Sequence, residues 1–274
     1  MEKTLSANIS KYRKINKLTQ EKLAGMLGVS FQAVSKWETG QSFPDLELIP
    51  KLAAVFKVSI DTLLGYKTEK ITTTHYEEKY KDEGLYWGNE LWSRCYDVLK
   101  LMPPTKPLRL LDIGCGEGQV AVFFARNGYM VSALDIAESG IEKGKQLAQD
   151  WAVAVDFFKA DIRHYKIENQ YDVIYASGLL QYIPHDERKI IIDNMKHNTA
   201  LNGIHVLNVF VDKPFIEKAP DWEDNEYFWQ SGELFQYYSD WKFEIMEEVI
   251  FDCNSSGKWH KHCMDVLIAR KTES

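Results

Sequence analysis

Residues 109–119, RLLDIGCGEGQ, decide the fold of this chain of 274 residues. Apolar side chains at 110, 111 and 113 surround Asp112, and glycines follow at 114, 116 and 118. This pattern predicts a buried strand that runs into a tight turn of the kind that binds nucleotides. A dinucleotide-binding turn has its third glycine three positions after the second, whereas this chain has Gln119 there.

Short apolar strands alternate with amphipathic helices after residue 75. The predicted strands are LRLLDI, MVSALD, VAVDFF, YDVIYAS and IHVLNVFV, and the predicted helices cover 119–127, 137–149 and 185–198. This order predicts an α/β fold with a doubly wound parallel sheet. Two long segments at the end, WKFEIMEEVIFDC and CMDVLIARK, have no helix between them, so we expect an antiparallel pair at the sheet edge.

Carboxylates follow the predicted strands at positions that suit a nucleoside. Asp112 lies in the glycine turn, Asp135 ends the second strand and Asp161 follows the third. A carboxylate at the end of the second strand accepts both ribose hydroxyls, which excludes a 2′-phosphate but leaves NAD and S-adenosylmethionine open. The antiparallel pair favours S-adenosylmethionine. The alternative is that the glycines serve only the turn and the carboxylates only cap helices.

The stretches LLDIGCGEGQVAVFFARNGYMVSALDIAESGIEKGKQLA, FKADIRHY and YDVIYASGLLQYI resemble the class I S-adenosylmethionine-dependent methyltransferases, over about residues 76–271. Within that class, GELFQYYSDWKFEIMEEVIFDC and MDVLIARK look most like the tellurite-resistance and thiopurine-type methyltransferases. The resemblance implies S-adenosylmethionine as the cofactor. It implies these cofactor-binding residues: Asp112, Gly114, Cys115 and Gly116 at the turn, Asp135 and Ile136 at ribose and adenine, Asp161 and Ile162 at the adenine, and Ala176 and Ser177 beside the sulfonium.

Candidates for the site of the small-molecule methyl acceptor lie outside these motifs. Tyr86 and Trp87 precede the first strand, where they either cover the methyl group or pack as an ordinary helix. Tyr182 comes just after the fourth strand, and we predict a catalytic role for it beside the sulfonium. The aromatic segment DWEDNEYFWQSGELFQYY can line a pocket, but packing in the core or in a dimer is favoured.

The segment KWHKHC contains His260, His262 and Cys263, with Cys253 not far before it. These residue types suit a transition metal, and His260 and His262 share one face of a strand. The spacing of known metal motifs is absent, and the tellurite-resistance family uses basic residues here for anionic substrates. We therefore expect a surface strand first and an acceptor pocket second, with catalytic His260 and His262 and substrate-binding Cys263. A metal site is the third alternative, so no metal is predicted.

The first 66 residues predict a small all-α domain of five short helices. Its predicted caps and stops at the second and third helices are Thr19, Gly28, Ser30 and Gly40. In the third helix, Val34 and Trp37 face the core while polar side chains face outward. Two helices joined by a tight turn, with an exposed amide and cation, predict a helix-turn-helix.

The stretch LTQEKLAGMLGVSFQAVSKWETGQSFPDLELIPKLAAVFKVSIDTLLG closely resembles the Cro and phage-repressor helix-turn-helix family, and the resemblance covers residues 5–65. It implies that Gln20 touches a phosphate and that Gln32, Ser35 and Lys36 face the major groove of duplex DNA. One unit makes few phosphate contacts, so a homodimer is implied. The alternative is a module that binds protein.

The net charge of the chain changes sign after the predicted helical domain. Residues 1–66 carry nine Lys or Arg and six Asp or Glu, a net of +3, which leaves −10 for the remainder. We predict a DNA-binding domain at 1–66, a linker at 67–82 and a methyltransferase domain at 83–274. Four scattered cysteines, no apolar run of about 18 residues and no signal-peptide core predict a cytoplasmic protein.

The chain is therefore expected to be a small-molecule methyltransferase that carries a DNA-binding domain. The alternative is a transcriptional regulator that uses the methyltransferase fold as a sensor with little turnover. The sequence leaves the methyl acceptor and the DNA target open.

Overall fold

A computed structural model describes residues 2–58, 60–64, 74, 76–88, 91–92, 94–220, 226–254 and 257–273. The chain divides into two compact units, Met1–Ile71 and Thr72–Ser274. Half of the predicted linker, residues 67–73 and 75, and residues 221–225 of the aromatic segment lie outside the described residues. In the described part of the chain, no helix is both long and apolar enough to cross a membrane.

The described residues of the first unit form five helices, as predicted. They are α1 (Glu2–Ile15), α2 (Gln20–Leu27), α3 (Phe31–Thr39), α4 (Ile49–Phe56) and α5 (Ile60–Leu64), with a 3-10 turn at Leu46–Leu48. The Thr19 hydroxyl accepts a hydrogen bond from the Lys22 amide, and the Ser30 hydroxyl accepts one from Ala33. Gly28 and Gly40 end α2 and α3 in the left-handed conformation. Local chemistry therefore sets the ends of both helices of the predicted motif.

The second unit contains a sheet of seven strands. The strands are β1 (Arg109–Ile113), β2 (Met130–Asp135), β3 (Val155–Lys159), β4 (Tyr171–Ala176), β5 (Thr199–Phe210), β6 (Lys242–Cys253) and β7 (His260–Arg270). Their order in the sheet is β3-β2-β1-β4-β5-β7-β6. The first five strands are parallel, and β7 pairs antiparallel with both β5 and β6. The doubly wound sheet with an antiparallel pair at its edge is confirmed.

Helices precede, connect and follow the parallel strands in the described part of the second unit. They are α6 (Tyr76–Lys79), α7 (Arg94–Leu101), α8 (Gln119–Arg126), α9 (Glu138–Asp150), α10 (His185–His197) and α11 (Glu233–Gln236). The three predicted helices match α8, α9 and α10 within one residue at each end. Strand order reverses at β1 and β4, so the carboxyl ends of β1, β2 and β4 form one edge where a ligand crevice is expected.

Two strands extend beyond their predicted bounds. β5 begins at Thr199, five residues before the predicted start of the strand. Within these five residues the pairing with β4 shifts register, between Tyr171 and Val173, and Asn202 has a φ of 64°. That irregularity interrupts the apolar pattern. β7 begins at His260, three residues before the predicted Cys263, so the terminal hairpin reaches further than the sequence indicated.

The described part of the aromatic segment belongs to the core, as favoured by the sequence. Trp229 and Tyr238 are fully buried. The guanidinium of Arg188, on α10, lies 3.9 Å from the Trp229 ring and donates a hydrogen bond of 2.8 Å to Glu233. His205 bridges the Thr199 and Tyr238 hydroxyls, and its burial lowers its pKa to about 3. These contacts fix residues 226–238 against β5 and α10.

Candidate functional site

The glycine turn closes directly after β1. The amides of Gly114 and Cys115 both donate to the carbonyl oxygen of Leu134, at 2.8 and 3.0 Å. Gly114 and Gly116 have φ of 74° and 51°, which only glycine adopts at little cost. A Cβ atom on Gly116 would stand 2.9 Å from the Tyr80 hydroxyl oxygen. The turn is therefore tied to β2, and its backbone is in close contact with Tyr80.

Asp135 holds the turn at the end of β2. One carboxylate oxygen accepts the Gly116 amide and the other accepts the Ala137 amide, both at 2.8 Å. The turn-stabilising role is therefore present, but each carboxylate oxygen retains a second acceptor position. Burial raises the pKa of Asp135 above its ordinary value, and the next residue, Ile136, is half-buried. Asp135 is placed to bind a ligand as well as to hold the turn.

Two further carboxyl groups near the turn have an oxygen without a hydrogen-bond partner in the described part of the chain. Asp112 is buried, and burial together with the charge of Asp135 raises its pKa to about 8. Within the described residues, neither Oδ2 of Asp112 nor Oε2 of Glu77 has a hydrogen-bond partner. The Ser139 hydroxyl donates to the Glu77 backbone carbonyl at 2.8 Å. Below about pH 8 Asp112 therefore keeps its proton and can donate a hydrogen bond, while the unused oxygen of Glu77 favours a cationic ligand.

Asp161 comes two residues after β3 and forms an ion pair with Arg163. It accepts the guanidinium of Arg163 at 2.7 Å and the Arg163 backbone amide at 2.9 Å. Its neighbour Ile162 is buried in the core. The carboxylate thus supports its own turn, and the predicted contact with an adenine amine requires its remaining acceptor positions.

The end of β4 lies beside the end of β1, where Leu179 packs on Gly114. Ala176 is buried, and the Ser177 hydroxyl accepts a hydrogen bond of 2.8 Å from the Asn208 amide. The same Asn208 accepts the Gly178 amide at 2.7 Å. The predicted pair, Ala176 and Ser177, is therefore anchored to β5 by a side chain that the sequence analysis did not single out.

Five aromatic side chains, which we call the aromatic cover, lie over the glycine turn. They are Tyr76, Tyr80, Tyr86, Trp87 and Tyr182. The Tyr76 and Tyr182 hydroxyl oxygens lie 3.1 Å apart, and the Trp87 ring nitrogen donates to the Tyr80 hydroxyl at 3.2 Å. Tyr76 also contacts the rings of Tyr86 and Trp87. The structure therefore brings three predicted acceptor-site residues together through Tyr76.

The sequence analysis missed Tyr76 and Tyr80, because it placed residues 67–82 in a linker. In the structure, residues 76–79 form α6, and the adjoining Tyr80 is buried against Gly116. The periodic apolar signal over so short a helix is weak. The run of aromatic residues from 76 to 87 was the available signal.

Glu117 and Lys143 attach the aromatic cover to α9. Glu117 is fully buried, accepts the Tyr86 amide at 2.8 Å and pairs with Lys143 at 2.9 Å. Lys143 also donates to the carbonyl oxygens of Asp82 and Gly84. The ammonium group of Lys79 lies 5.3 Å from the Tyr76 ring centre and 5.1 Å from that of Tyr86. The cover thus has a cation on its surface.

Cys115 contributes through its backbone. Its side chain is buried, and burial raises the pKa of its thiol well above the ordinary value. A thiol held neutral in this way is a poor nucleophile. The residue therefore suits the predicted role of close backbone approach.

The remaining predicted residues lie at the terminal hairpin. His260 and His262 have ring nitrogens 2.8 Å apart, and the His262 ring stacks on Phe210 with centroids 4.6 Å apart. Cys263 points to the other face of β7, is buried, and pairs in register with Ile250. The cysteine sulfur that lies near both histidines is that of Cys253, and not that of Cys263. Cys253 pairs with His260 across the two strands.

The first unit presents part of its predicted surface. Gln32 and Lys36 are exposed on α3, and Ser35 is half-buried. The Gln20 amide nitrogen donates to Glu38 at 2.7 Å, and Glu38 also accepts two hydrogen bonds from Arg13. Gln20 is thus engaged within the unit, and its phosphate contact stays a prediction.

The fold and the site define a class I methyltransferase domain that follows a helix-turn-helix domain. The family described as tellurite resistance protein TehB matches residues 74–261, and the helix-turn-helix family matches residues 9–63. Because the first match covers more than half of the chain, the chain belongs to the tellurite resistance protein TehB family.

Individual relatives are distant. The probable S-adenosyl-L-methionine-dependent methyltransferase TehB of Haemophilus influenzae is 24% identical over 216 residues, covering 77% of this chain and 70% of that protein. The ubiquinone biosynthesis O-methyltransferase of Rickettsia canadensis is 25% identical over 153 residues, covering 51% of this chain and 64% of the enzyme. The chain thus spans about two thirds of the length of these relatives.

Solved structures show the same fold. The crystal structure of TehB from Haemophilus influenzae has a TM-score of 0.60 at 22% identity, covering 73% of this chain and 67% of that one. The magnesium protoporphyrin IX methyltransferase of Synechocystis with bound SAH has a TM-score of 0.52 at 12% identity, covering 88% and 95%. At sequence identities this low, the similarity shows a shared fold and nothing further.

Proposed function

We propose that the second unit transfers a methyl group from S-adenosylmethionine to a small-molecule acceptor. The observation that carries the proposal is the family match over residues 74–261, which contains the glycine turn and the carboxylates at the ends of β1 and β2. The relative in Haemophilus influenzae is named as a probable methyltransferase that uses this cofactor.

The residues at the crevice suit that cofactor. S-adenosylmethionine supplies an activated methyl group on a sulfonium cation and also carries an ammonium group. The unpartnered Oε2 of Glu77 supplies negative potential for such charges, and Asp112, whose pKa is raised to about 8, can donate a hydrogen bond below that pH. Asp135 has acceptor positions for ribose hydroxyls, and Asp161 and Ile162 flank the adenine. Ala176 and Ser177 line the crevice beside the sulfonium.

The aromatic cover excludes water and positions the acceptor. Methyl transfer by in-line displacement requires alignment of donor and acceptor more than it requires proton transfer. Tyr86 and Trp87 bind the acceptor, while Tyr182, held by Tyr76 at 3.1 Å, orients it at the reacting end. These roles extend the predictions made from the sequence.

The acceptor is a soft anion, a thiolate or an oxyanion-derived species of selenium or tellurium. Such a nucleophile needs no general base, whereas an amine or hydroxyl does. The ammonium group of Lys79, at 5.1 to 5.3 Å from two ring centres of the aromatic cover, attracts an anion to this surface. His260 and His262 serve as the outer part of the acceptor site in this proposal, whereas Cys263, which the sequence predicted to join them, is buried on the opposite face of β7.

The test is transfer of labelled methyl from S-adenosylmethionine to a panel of thiols, selenite, tellurite and small amines. We expect turnover with a soft anion, and loss of at least about tenfold in turnover for Asp135→Ala at subsaturating cofactor. The matched control is Asp156→Ala, an exposed carboxylate on β3. Cofactor binding without turnover on any acceptor would favour the sensor alternative instead.

We propose further that the first unit binds duplex DNA, as a homodimer. Support comes from the helix-turn-helix match over residues 9–63, the exposed Gln32 and Lys36 on α3, and the net charge of +3 on residues 1–66. Amide side chains pair with adenine and cations with guanine or phosphate. The division into domains at 1–66 and 83–274 and the cytoplasmic location stay predictions.

Selection from random duplexes, followed by salt titration of the best site, tests the DNA proposal. We expect an enriched, roughly palindromic sequence. Lys36→Ala weakens that site by about 1 to 3 kcal/mol if the lysine contacts a base. Lys51→Ala, an exposed lysine on α4, is the control and leaves the affinity unchanged. Recovery of no enriched sequence would leave the unit as a protein-binding or oligomerisation module.

A further inference from the structure

Three side chains that can bind a metal meet at the end of the terminal hairpin. Cys253 and His260 are opposite each other in the antiparallel ladder of β6 and β7, and His262 lies two residues further on the same face. The Cys253 sulfur and one ring nitrogen from each histidine all lie within 4.8 Å of one another. All three side chains are half-buried. The cluster therefore arises from strand pairing and from a spacing of two.

His260 is held in the tautomer that binds a metal. Its Nδ1 lies 2.7 Å from the backbone carbonyl oxygen of Lys258. Because a carbonyl oxygen only accepts, Nδ1 carries the proton and Nε2 keeps its lone pair. That Nε2 faces the cluster, 2.8 Å from Nε2 of His262. Histidines that ligate metals commonly donate their other ring proton to a carbonyl in this way.

The His262 ring is fixed by aromatic neighbours. It stacks on Phe210 with an interplanar angle of 25°, and it packs against Phe251 with ring centres 5.6 Å apart. An apolar surrounding of this kind orients the imidazole and limits access of water to it. Both histidines are thus oriented by contacts outside the cluster itself.

We propose that Cys253, His260 and His262 bind one divalent transition-metal ion of the zinc type. One thiolate and two imidazoles are the donor types that such an ion prefers. In a tetrahedral zinc site, neighbouring ligand atoms stand about 3.3 to 3.6 Å apart. The separations in the cluster, from 2.8 Å to at most 4.8 Å, bracket that range. Three protein ligands leave a fourth position for water or an exogenous anion.

The proposal replaces the expectation from the sequence, which grouped the histidines with Cys263 and predicted no metal. Cys263 follows His262 directly, so it points to the opposite face of β7. Cys253 reaches the histidines only because β6 pairs with β7 in this register. The proposal does not depend on methyl transfer.

The test is a cobalt titration of the full chain without an affinity tag. We expect one equivalent of Co²⁺ to give the strong visible bands of tetrahedral cobalt and a thiolate-to-cobalt charge-transfer band in the near ultraviolet. Zinc should displace the cobalt, because Zn²⁺ binds such sites more tightly than Co²⁺. Direct titration of zinc by calorimetry should give the same stoichiometry.

Variants separate the cluster from incidental binding. Cys253→Ser should abolish the charge-transfer band. Loss of a residue that only hydrogen-bonds to a metal ligand weakens metal binding roughly 10- to 100-fold. His260→Ala and His262→Ala each remove a ligand and should therefore weaken metal binding by more than that. Lys261→Ala, an exposed residue between the two histidines, is the control and should retain both bands. Circular dichroism establishes that each variant is folded.

Two results would overturn the proposal. One is a wild-type chain that binds neither cobalt nor zinc. The other is an unchanged cobalt spectrum in folded Cys253→Ser, since the bands would then arise from other residues.

Discussion

Asp112 makes the stability of the second unit depend on pH, and Asp112→Asn should remove that dependence. The carboxyl group is buried, and its pKa is raised from 3.8 to about 8, first by burial and then by the charge of Asp135. In the unfolded chain the group loses its proton near its ordinary pKa of about 4. Folding therefore retains a proton that the unfolded chain has released.

The sign follows from counting protons. Between the two pKa values the folded state holds the extra proton, so the free energy of unfolding falls as the pH rises. The slope from one such group is about 1.4 kcal/mol per pH unit, and it flattens near the upper pKa. From pH 6 to pH 8, Asp112 should lower the free energy of unfolding by about 2 kcal/mol. Below about pH 4 the group should have no effect.

The assay is urea unfolding at pH 6 and pH 8, followed by tryptophan fluorescence. Seven of the eight tryptophans come after residue 72, so the signal reports mainly on the second unit. Any effect of Asp112→Asn on packing shifts stability equally at both pH values, so the difference between the two pH values isolates the contribution of the titrating carboxyl group. Asp156→Asn, an exposed carboxylate, is the control and should keep the wild-type dependence. Equal pH dependence in the wild type and in Asp112→Asn would refute the reasoning.

Two substitutions test other contacts of the second unit. Gly116→Ala places a methyl group 2.9 Å from the Tyr80 hydroxyl and should lower cofactor affinity in calorimetry by at least about tenfold. Gly84→Ala, which also lies at a positive φ but has no neighbour within 4 Å among the described residues, should leave that affinity unchanged and lose only about 1 kcal/mol of stability. Arg188→Met removes a fully buried cation from the Glu233 carboxylate and should lower the free energy of unfolding by about 3 to 5 kcal/mol in urea titrations. Lys189→Met is the control: the lysine side chain is 72% exposed, and its loss should lower the free energy of unfolding by less than about 1 kcal/mol. Equal losses within either pair would contradict the role assigned to the contact.

Features with local causes were predictable from the sequence. Thr19 and Ser30 cap helices because a hydroxyl reaches an amide three residues later, and both caps are present. The turn between β1 and α8 follows from three glycines at alternate positions, and Asp135 follows from the end of an apolar run. Each of these signals lies within a few residues of the feature that it predicts.

Features that depend on distant partners were not predictable. Tyr80 becomes part of the site only because it packs on Gly116, more than thirty residues away in the sequence. Gln20 contacts a phosphate in the family pattern, yet in the structure its amide donates to Glu38 on α3. Cys253 meets the histidines through strand register, which periodicity alone does not specify. Such pairings require the tertiary structure.

The central claim is that the glycine turn and its carboxylates bind S-adenosylmethionine. Calorimetric titration of the full chain with S-adenosylmethionine and with its demethylated product tests it most directly, with NAD as the competing nucleotide. The account predicts binding of the first two at one site per chain, no binding of NAD, and at least about tenfold weaker binding by Asp135→Ala. Absence of binding by the wild type, or equal binding by folded Asp135→Ala, would contradict it.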